Sequence, residues 1–397
     1  MNSTESTRNI LLYRLYVIFN EPLFWAPILI VSLQKLAGMS LSDIYYMEAV
    51  VLCICVVLDI PSGALADIIG KKRTIIIGRI FLLGSIFFFA TMTSASGAWT
   101  GNILWAVGYT LQSGADTSLL YETLNERREG QRYKQIQGQA LGLRLLLVAC
   151  CSLLAGPLAD IDLRLPAYCC VPFELIPLIA SFFLKEPMQT EQYSAKKQVA
   201  ILKQGVSFVF HSVEVRWMVG FAALIAATSK VWFFTYNPYF ELVGVPIAHF
   251  GFIFFLANIV AWLSSHYAYN IERILGEKRC ILVAIFCVGA PVLLMGLIPI
   301  HPFAYLIVVQ NIVRGFIRPF VEDYIHHHIT KREEGGNIRA TVMSAHSTAT
   351  SLATIAGLAG FGFLTDSLSL LNSLLVLGIF CLVLGGVSYR SYLRNIK

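Results

Sequence analysis

Several ionisable residues of this chain lie inside long apolar runs, where a charge is costly and usually kept for a purpose. They are Glu21, Glu48, Asp59, Asp116, Arg144, Glu174, Lys230, Arg314 and Arg318. Glu21 falls in Phe19-Asn20-Glu21-Pro22. Pro22 cannot donate to a backbone ladder, so carbonyls are freed beside a carboxylate. That suits a proton-accepting group lining a cavity, with Asn20 beside it facing a substrate. It equally suits a kink whose acid pairs with an arginine. Asp116 follows Gly114 and could take a proton, hold a cationic substrate or cap a helix. Arg144, among leucines, requires a carboxylate, and Glu21 and Asp116 are available. A pair that opens on protonation would couple protons to conformation, whereas one that stays closed would be structural. Glu174, in Pro172-Phe173-Glu174-Leu175, is a further candidate proton carrier.

The second half carries cations. Arg314 and Arg318 are one helical turn apart and share a face. They could hold an anionic substrate group or pair with Glu322 and Asp323. Lys230 precedes Trp232-Phe233-Phe234, Tyr236, Asn237 and Tyr239. Those aromatics could line a cavity for a flat amphipathic ligand or mark the membrane interface. His326-His327-His328 looks metal-binding, but consecutive helical residues point in different directions and do not converge on one ion. The nine cysteines lie in or at the ends of apolar runs without metal-ligand spacing, as small packing residues do. No metal and no cofactor is expected. No Gly-x-x-x-x-Gly-Lys-Ser/Thr loop is present, so ATP is not the expected driver. No nucleophile–base constellation suggests an enzyme, and nothing suggests nucleic acid.

These groups need a membrane scaffold. The chain has 397 residues, 56% hydrophobic and only 14% charged, against about 25% charged in soluble domains. At about 20 residues per span, the length accommodates about twelve helices and short loops. Apolar runs place them near 10–33, 42–66, 74–94, 98–121, 136–158, 165–184, 216–238, 247–270, 279–299, 302–326, 340–364 and 368–389. Met1 to Asn9 is polar and lacks the core and cleavage site of a signal peptide, so the first helix is expected to be retained.

Loop charges set the orientation. One side holds Arg8, Lys71, Lys72, Arg73, Arg127, Arg128, Arg132, Lys134, Lys185, Lys196, Lys197 and Lys203, then Arg273, Lys278, Arg279, Lys331, Arg332, Arg339, Arg390, Arg394 and Lys397. The other side holds essentially Lys35 and Arg164. The skew puts both termini in the cytoplasm and requires an even number of spans. The longest connection, 185–215, mixes Val199, Ile201, Leu202, Val206, Phe208, Val209 and Phe210 with Lys203 and Gln204, the pattern of a helix lying on the membrane surface. It divides an N-terminal half, 1–184, from a C-terminal half, 216–397.

An internal repeat supports the division. Ile68-Ile69-Gly70-Lys71-Lys72-Arg73 aligns with Ile274-Leu275-Gly276-Glu277-Lys278-Arg279 at an offset of 206 residues (274 minus 68). The same offset aligns Gly156-Pro157-Leu158-Ala159-Asp160 with Gly362-Phe363-Leu364-Thr365-Asp366, and Asp116 with Glu322. The expected fold is an all-α membrane protein with twelve transmembrane helices in two pseudo-symmetric six-helix halves. Such repeats in transporters place a substrate site near the midplane.

Asp59-Ile60-Pro61-Ser62-Gly63-Ala64-Leu65-Ala66-Asp67-Ile68-Ile69-Gly70-Lys71-Lys72-Arg73 resembles the loop motif after the second helix of the major facilitator superfamily, roughly Gly-x-Leu-Ala-Asp-x-x-Gly-Arg-Lys, with Lys71 where arginine is commoner. Ser113 to Glu122 resembles the fourth helix of a bacterial permease branch of that superfamily, and Arg339-Ala340-Thr341 fits the same branch. The resemblance implies a cytoplasmic gate latch in which Asp67 and Arg73 are conformational residues rather than substrate ligands. Physically, Gly63 and Gly70 permit close approach and a tight turn. Asp67 can accept from backbone N–H groups or pair with a basic residue. Lys71, Lys72 and Arg73 would anchor the turn at the anionic leaflet, and a plain topology-setting turn would look similar.

The function expected is secondary active transport by alternating access, as proton-coupled export of small amphipathic compounds from a bacterium across its inner membrane. Gly156-Pro157 matches part of the fifth-helix motif of exporters, although Cys150, Cys151 and Ser152 stand where further glycines occur. The rivals are import of a small anionic nutrient or siderophore-like compound through Arg314, Arg318 and Lys230, and a non-transporting sensor or lipid-handling protein. The partners expected are a small-molecule substrate, protons and membrane lipid, with the chain a monomer.

Overall fold

In a computed structural model, residues 3–186, 207, 211–330 and 336–395 are described. All regular elements among them are helical. Ten helices are long and apolar enough to cross a membrane. Two of the expected spans are instead broken. The first is α1 (Ser3–Ile18), an irregular stretch containing Asn20-Glu21-Pro22, and α2 (Leu29–Ala37). The fourth is α5 (Ala95–Gln112) and α6 (Ala115–Glu126), parted at Gly114, whose φ of +82° only glycine adopts without strain. Both breaks coincide with the polar residues singled out above, because a side chain near freed backbone groups can satisfy them.

The other helices are α3 (Leu41–Ile69), α4 (Lys71–Thr91), α7 (Tyr133–Ile161) and α8 (Leu165–Phe183). They continue as α9 (Val213–Leu242), α10 (Ile247–His266), α11 (Ala268–Leu275) and α12 (Glu277–Leu297). The last are α13 (Leu306–Thr330), α14 (Gly336–Ser367) and α15 (Leu370–Asn395). The short α11, not anticipated, buries none of its residues. The surface helix expected within 185–215 lies outside the described residues.

The chain groups into two compact units. The first holds Met1–Met39, Val50–Lys197 and Ile247–Phe255, and its core includes Tyr13, Tyr16, Leu119, Leu120, Leu124 and Ile136. The second holds Ser40–Ala49, Gln198–Pro246 and Leu256–Lys397, and its core includes Phe221, Ile225, Ile281, Phe316, Phe320 and Ile325. Large apolar side chains such as Phe286 and Val387 remain more than half exposed at 57% and 59%. Lipid accepts them, as it accepts helices whose backbone groups are internally bonded.

Each unit contains a tight helix crossing. In the first, α7 meets the start of α10 almost backbone to backbone. A Cβ on Gly156 would stand 2.3 Å from the Ala248 carbonyl oxygen, and one on Gly251 would stand 1.9 Å from that of Ser152. In the second, a Cβ on Gly362 of α14 would stand 3.2 Å from Cβ of Tyr45 at the start of α3, and Tyr46 donates to Asp366 at 2.9 Å. The repeat offset relates the crossings: Gly156 to Gly362 and Tyr45 to Gly251 are both 206 residues apart (362 minus 156; 251 minus 45). Gly251→Ala is therefore expected to destabilise by about 1–3 kcal/mol through overpacking against backbone. Gly220→Ala on α9, where a Cβ meets nothing within 4 Å, should leave the melting temperature in detergent unchanged or slightly raised. Equal melting of the two variants would refute the crossing.

Candidate functional site

The first unit holds a closed polar network around Arg79 of α4, a residue the sequence reading passed over. Its side chain is buried, 1% exposed, inside an apolar helix. Nη2 pairs with Glu174 of α8, itself 7% exposed, and Nη1 donates to Oδ1 of Asn20. Nη1 also reaches Oε1 of Gln112 at 3.3 Å, at the end of α5. Gln112 Nε2 donates to Asn20 Oδ1 at 2.9 Å, and the Tyr16 hydroxyl donates to Gln112 Oε1 at 2.6 Å. The Arg79 guanidinium stands 5.7 Å from the centre of the Tyr16 ring. Asn20 comes from the irregular stretch after α1 and Gln112 from the last turn of α5. Asn20 is thus occupied as an acceptor.

Arg144 of α7 finds Glu21 at 3.4 Å, with side chains 23% and 47% exposed. Asp116, the other carboxylate considered for it, accepts from the backbone N–H of Thr117 at 2.6 Å in the first turn of α6. The N-cap itself is Gly114, which offers no side chain, so Asp116 adds a negative charge at the positive end of α6 instead of capping it. Glu174, read as a proton carrier, is sealed with Arg79 instead of facing open space.

In the motif after α3, Gly70 takes φ +95° and ψ 147° and α4 begins at the next residue. Gly276, its aligned counterpart, takes φ +71° and ψ 160° and α12 begins at the next residue. The turn is built as expected, but the role given to Lys71 needs correction. Lys71 does not face the leaflet. It is 6% exposed and pairs with Glu122 of α6. The Glu186 carboxylate accepts from the backbone N–H groups of Lys71 at 2.7 Å and Lys72 at 2.8 Å. It neutralises the positive end of α4. Arg73 is exposed, Asp67 and Gly63 are half-buried, and Asp59 is exposed with its carbonyl accepting from Ser62 at 2.9 Å. Glu122 and Glu186 were missed because their partners are set by tertiary packing, 51 and 115 residues away.

In the second unit the aromatic run belongs to the core, not to a membrane interface. Trp232, Phe234, Tyr236, Tyr239 and Phe240 are all at most 3% exposed. Tyr236 donates to Gln310, and Asn237 is buried. Lys230 is exposed and lies over the Phe233 and Phe234 rings at 5.7 and 4.8 Å. Arg318 Nε donates to Glu322 at 2.8 Å from an exposed position. Arg314 donates to Oδ1 of Asn258 at 3.3 Å and of Asn311 at 3.1 Å. A cavity of about 580 Å³ opens beside both arginines, lined from α9, α13 and α14. Among the described residues no cluster of His, Cys, Asp and Glu has the makings of a metal site.

No protein-family model matches the chain. An uncharacterised MFS-type transporter, YxaM of Bacillus subtilis (strain 168), is 24% identical over 241 residues, 57% of this chain and 58% of that protein. An uncharacterised transporter of Buchnera aphidicola subsp. Schizaphis graminum (strain Sg) is 27% identical over 209 residues, 52% and 50% of the two chains. The chain thus spans about half the length of the curated relatives it matches. Among solved structures, the nucleoside transporter NupG superposes with a TM-score of 0.77 at 14% identity, covering 100% of both chains. An auto-inhibited POT family peptide transporter superposes at 0.70 and 13% identity, covering 99% of this chain and 97% of the other. Those two likenesses concern the fold. With the ten apolar helices and the partial sequence likeness to MFS-type transporters, they show a multi-pass membrane protein that is like the transporters of the major facilitator superfamily.

Proposed function

We propose that the protein is a secondary active transporter that exports small amphipathic compounds by alternating access in exchange for protons. It sits as a monomer in the inner membrane of a bacterium with both termini in the cytoplasm, as the Lys/Arg skew of its loops favours. The observation that carries proton coupling is the Glu21–Arg144 pair. It lies at the break in the first span, 3.4 Å long, with the Glu21 side chain 47% exposed. Nearly half of this carboxylate side chain is left uncovered by protein, so a proton can replace the guanidinium as its counter-charge. Release of Arg144 then acts on α7, the helix that carries the Gly156 crossing with α10. The Glu174–Arg79 pair, at 7% and 1% exposure, offers a proton no such entry. Export rather than import rests on Gly156-Pro157, the fifth-helix feature shared with exporters.

The test is reconstitution into liposomes with a pH dye inside. The expected result is a rise in internal pH when an amphipathic compound enters, since the proton leaves in exchange. Compound transport without any change of pH would end the coupling proposal. A fall of internal pH on compound entry would replace exchange by import with protons.

A further inference from the structure

The cavity of the second unit presents a charge that no described carboxylate answers. Its lining includes Arg314, Arg318 and Glu322 of α13 with His346 and Thr350 of α14. Arg318 and Glu322 form a pair at 2.8 Å, so their charges cancel locally. Arg314 is different. Its Nη1 donates only to the neutral amide oxygens of Asn258 and Asn311, at 3.3 and 3.1 Å, and among the described residues no carboxylate lies within ion-pair distance of it. Arg314 is exposed to the open cavity rather than buried in protein, and a guanidinium within a spanning helix is normally matched by an opposite charge. Nη2 and Nε, the edge that grips a carboxylate in two parallel hydrogen bonds, carry no described partner.

The wall opposite adds hydrogen-bonding capacity in the same state. His346 Nδ1 and Thr350 Oγ1 are shielded from solvent and have no hydrogen-bond partner among the described residues. They stand four residues apart on α14, on one helix face, and both line the cavity. Buried polar atoms left unpaired each cost about 1–3 kcal/mol, so two such atoms, covered in the empty cavity but carried by residues that line it, favour a guest toward which their side chains can turn. The rest of the lining is largely apolar, with Ile225, Val313, Ile317 and Met343. The volume, about 580 Å³, is within the range of small-molecule sites.

We propose that this cavity binds a small organic monoanion, a carboxylate on an apolar body, with Arg314 as its counter-ion and His346 and Thr350 as its hydrogen-bonding wall. This rests on the transporter reading for its purpose, and it narrows the amphipathic cargo to carboxylates. The local charge sets the ligand charge: after Arg318 and Glu322 cancel, one positive charge remains. A neutral amide of the same shape therefore loses the ion pair while keeping the apolar contact.

Binding can be read without transport. The full-length protein in detergent is titrated by calorimetry with benzoate and hexanoate, and with benzamide and hexanamide. The carboxylates are expected to bind at least about tenfold more tightly than their amides, a difference of about 1.4 kcal/mol. Arg314→Gln should abolish that preference without lowering the melting temperature of the unliganded protein by more than a few degrees. Thr350→Val should weaken the carboxylates about tenfold and leave their preference over the amides intact. Equal binding of acid and amide, no binding of either carboxylate, or a preference that survives Arg314→Gln would each overturn the proposal. Because no gradient is present, these results are independent of whether the liposome experiment detects proton exchange. A Arg314→Gln protein that melts far below the native one is replaced by Arg314→Lys, which keeps the charge but loses the fork and should retain only part of the preference.

Discussion

Replacing Arg79 with leucine is expected to destabilise the folded protein by about 3–5 kcal/mol, the cost of leaving one member of a buried ion pair without its partner. Glu174 would be stranded at 7% exposure, and Asn20 and Gln112 would each lose a charged donor. The pair is not itself an efficient way to gain stability, since Arg79 Nε is already buried without a partner. The double variant Arg79→Leu/Glu174→Leu should therefore recover most of the loss, because apolar replacement of a buried pair is often neutral or better. Gln112 Nε2 would still donate to Asn20 at 2.9 Å and Tyr16 to Gln112 at 2.6 Å. Thermal or denaturant unfolding of the four proteins closes the double-mutant cycle. A single Arg79→Leu variant within about 1 kcal/mol of the native protein would refute the buried-pair account. The rescued double variant has a second use. If it transports normally, the network only holds α1, α4, α5 and α8 together. If it folds but cannot transport, the charges themselves are needed during the cycle.

What could be read beforehand follows a physical pattern. Spans were legible because lipid demands about 20 apolar residues in a row, a local property of the chain. Even the expected spans at 165–184 and 216–238, both interrupted by polar residues, are continuous helices at Leu165–Phe183 and Val213–Leu242. The breaks at Glu21-Pro22 and Gly114 were visible as residues but not as interruptions, since nothing local says whether a proline kinks a helix or ends it. The turn was legible at Gly70 and Gly276 because a positive φ leaves its mark as glycine. Partners were not legible. For Arg144 the kind of partner is legible, but the choice of Glu21 over Asp116 depends on how α1 and α7 approach. Arg79, at Gly78-Arg79-Ile80 within an apolar run, carries the same signature as Arg144. Lys71 misled for a related reason: a lysine in a basic loop reads as exposed unless Glu122 is known to face it.

The half-exposed pair of Glu21 and Arg144 leads to the expected functional defect of greatest size. Glu21→Gln keeps the volume and an oxygen that can still accept from Arg144, but it cannot take or release a proton. Alternating access by itself should survive, so exchange of labelled for unlabelled substrate across liposomes should continue near the native rate. Accumulation driven by a pH gradient should not. With one proton per substrate, a gradient of one pH unit supplies about 1.4 kcal/mol, about tenfold in concentration ratio. In the Glu21→Gln protein that ratio should fall to about one. Glu21→Asp retains a titrating carboxylate with shorter reach and should keep much of the gradient-driven accumulation at a slower rate. Asp116→Asn provides the contrast. If Asp116 serves only to hold the first turn of α6 through the Thr117 N–H, its amide should cost about 1 kcal/mol of stability or less and leave coupling intact. A Glu21→Gln protein that accumulates substrate as the native one does would remove Glu21 from the proton path. Loss of accumulation in Asp116→Asn alone would move that role to α6, because the carboxylate that exchanges the proton must be the one whose neutralisation uncouples the gradient from the conformational change.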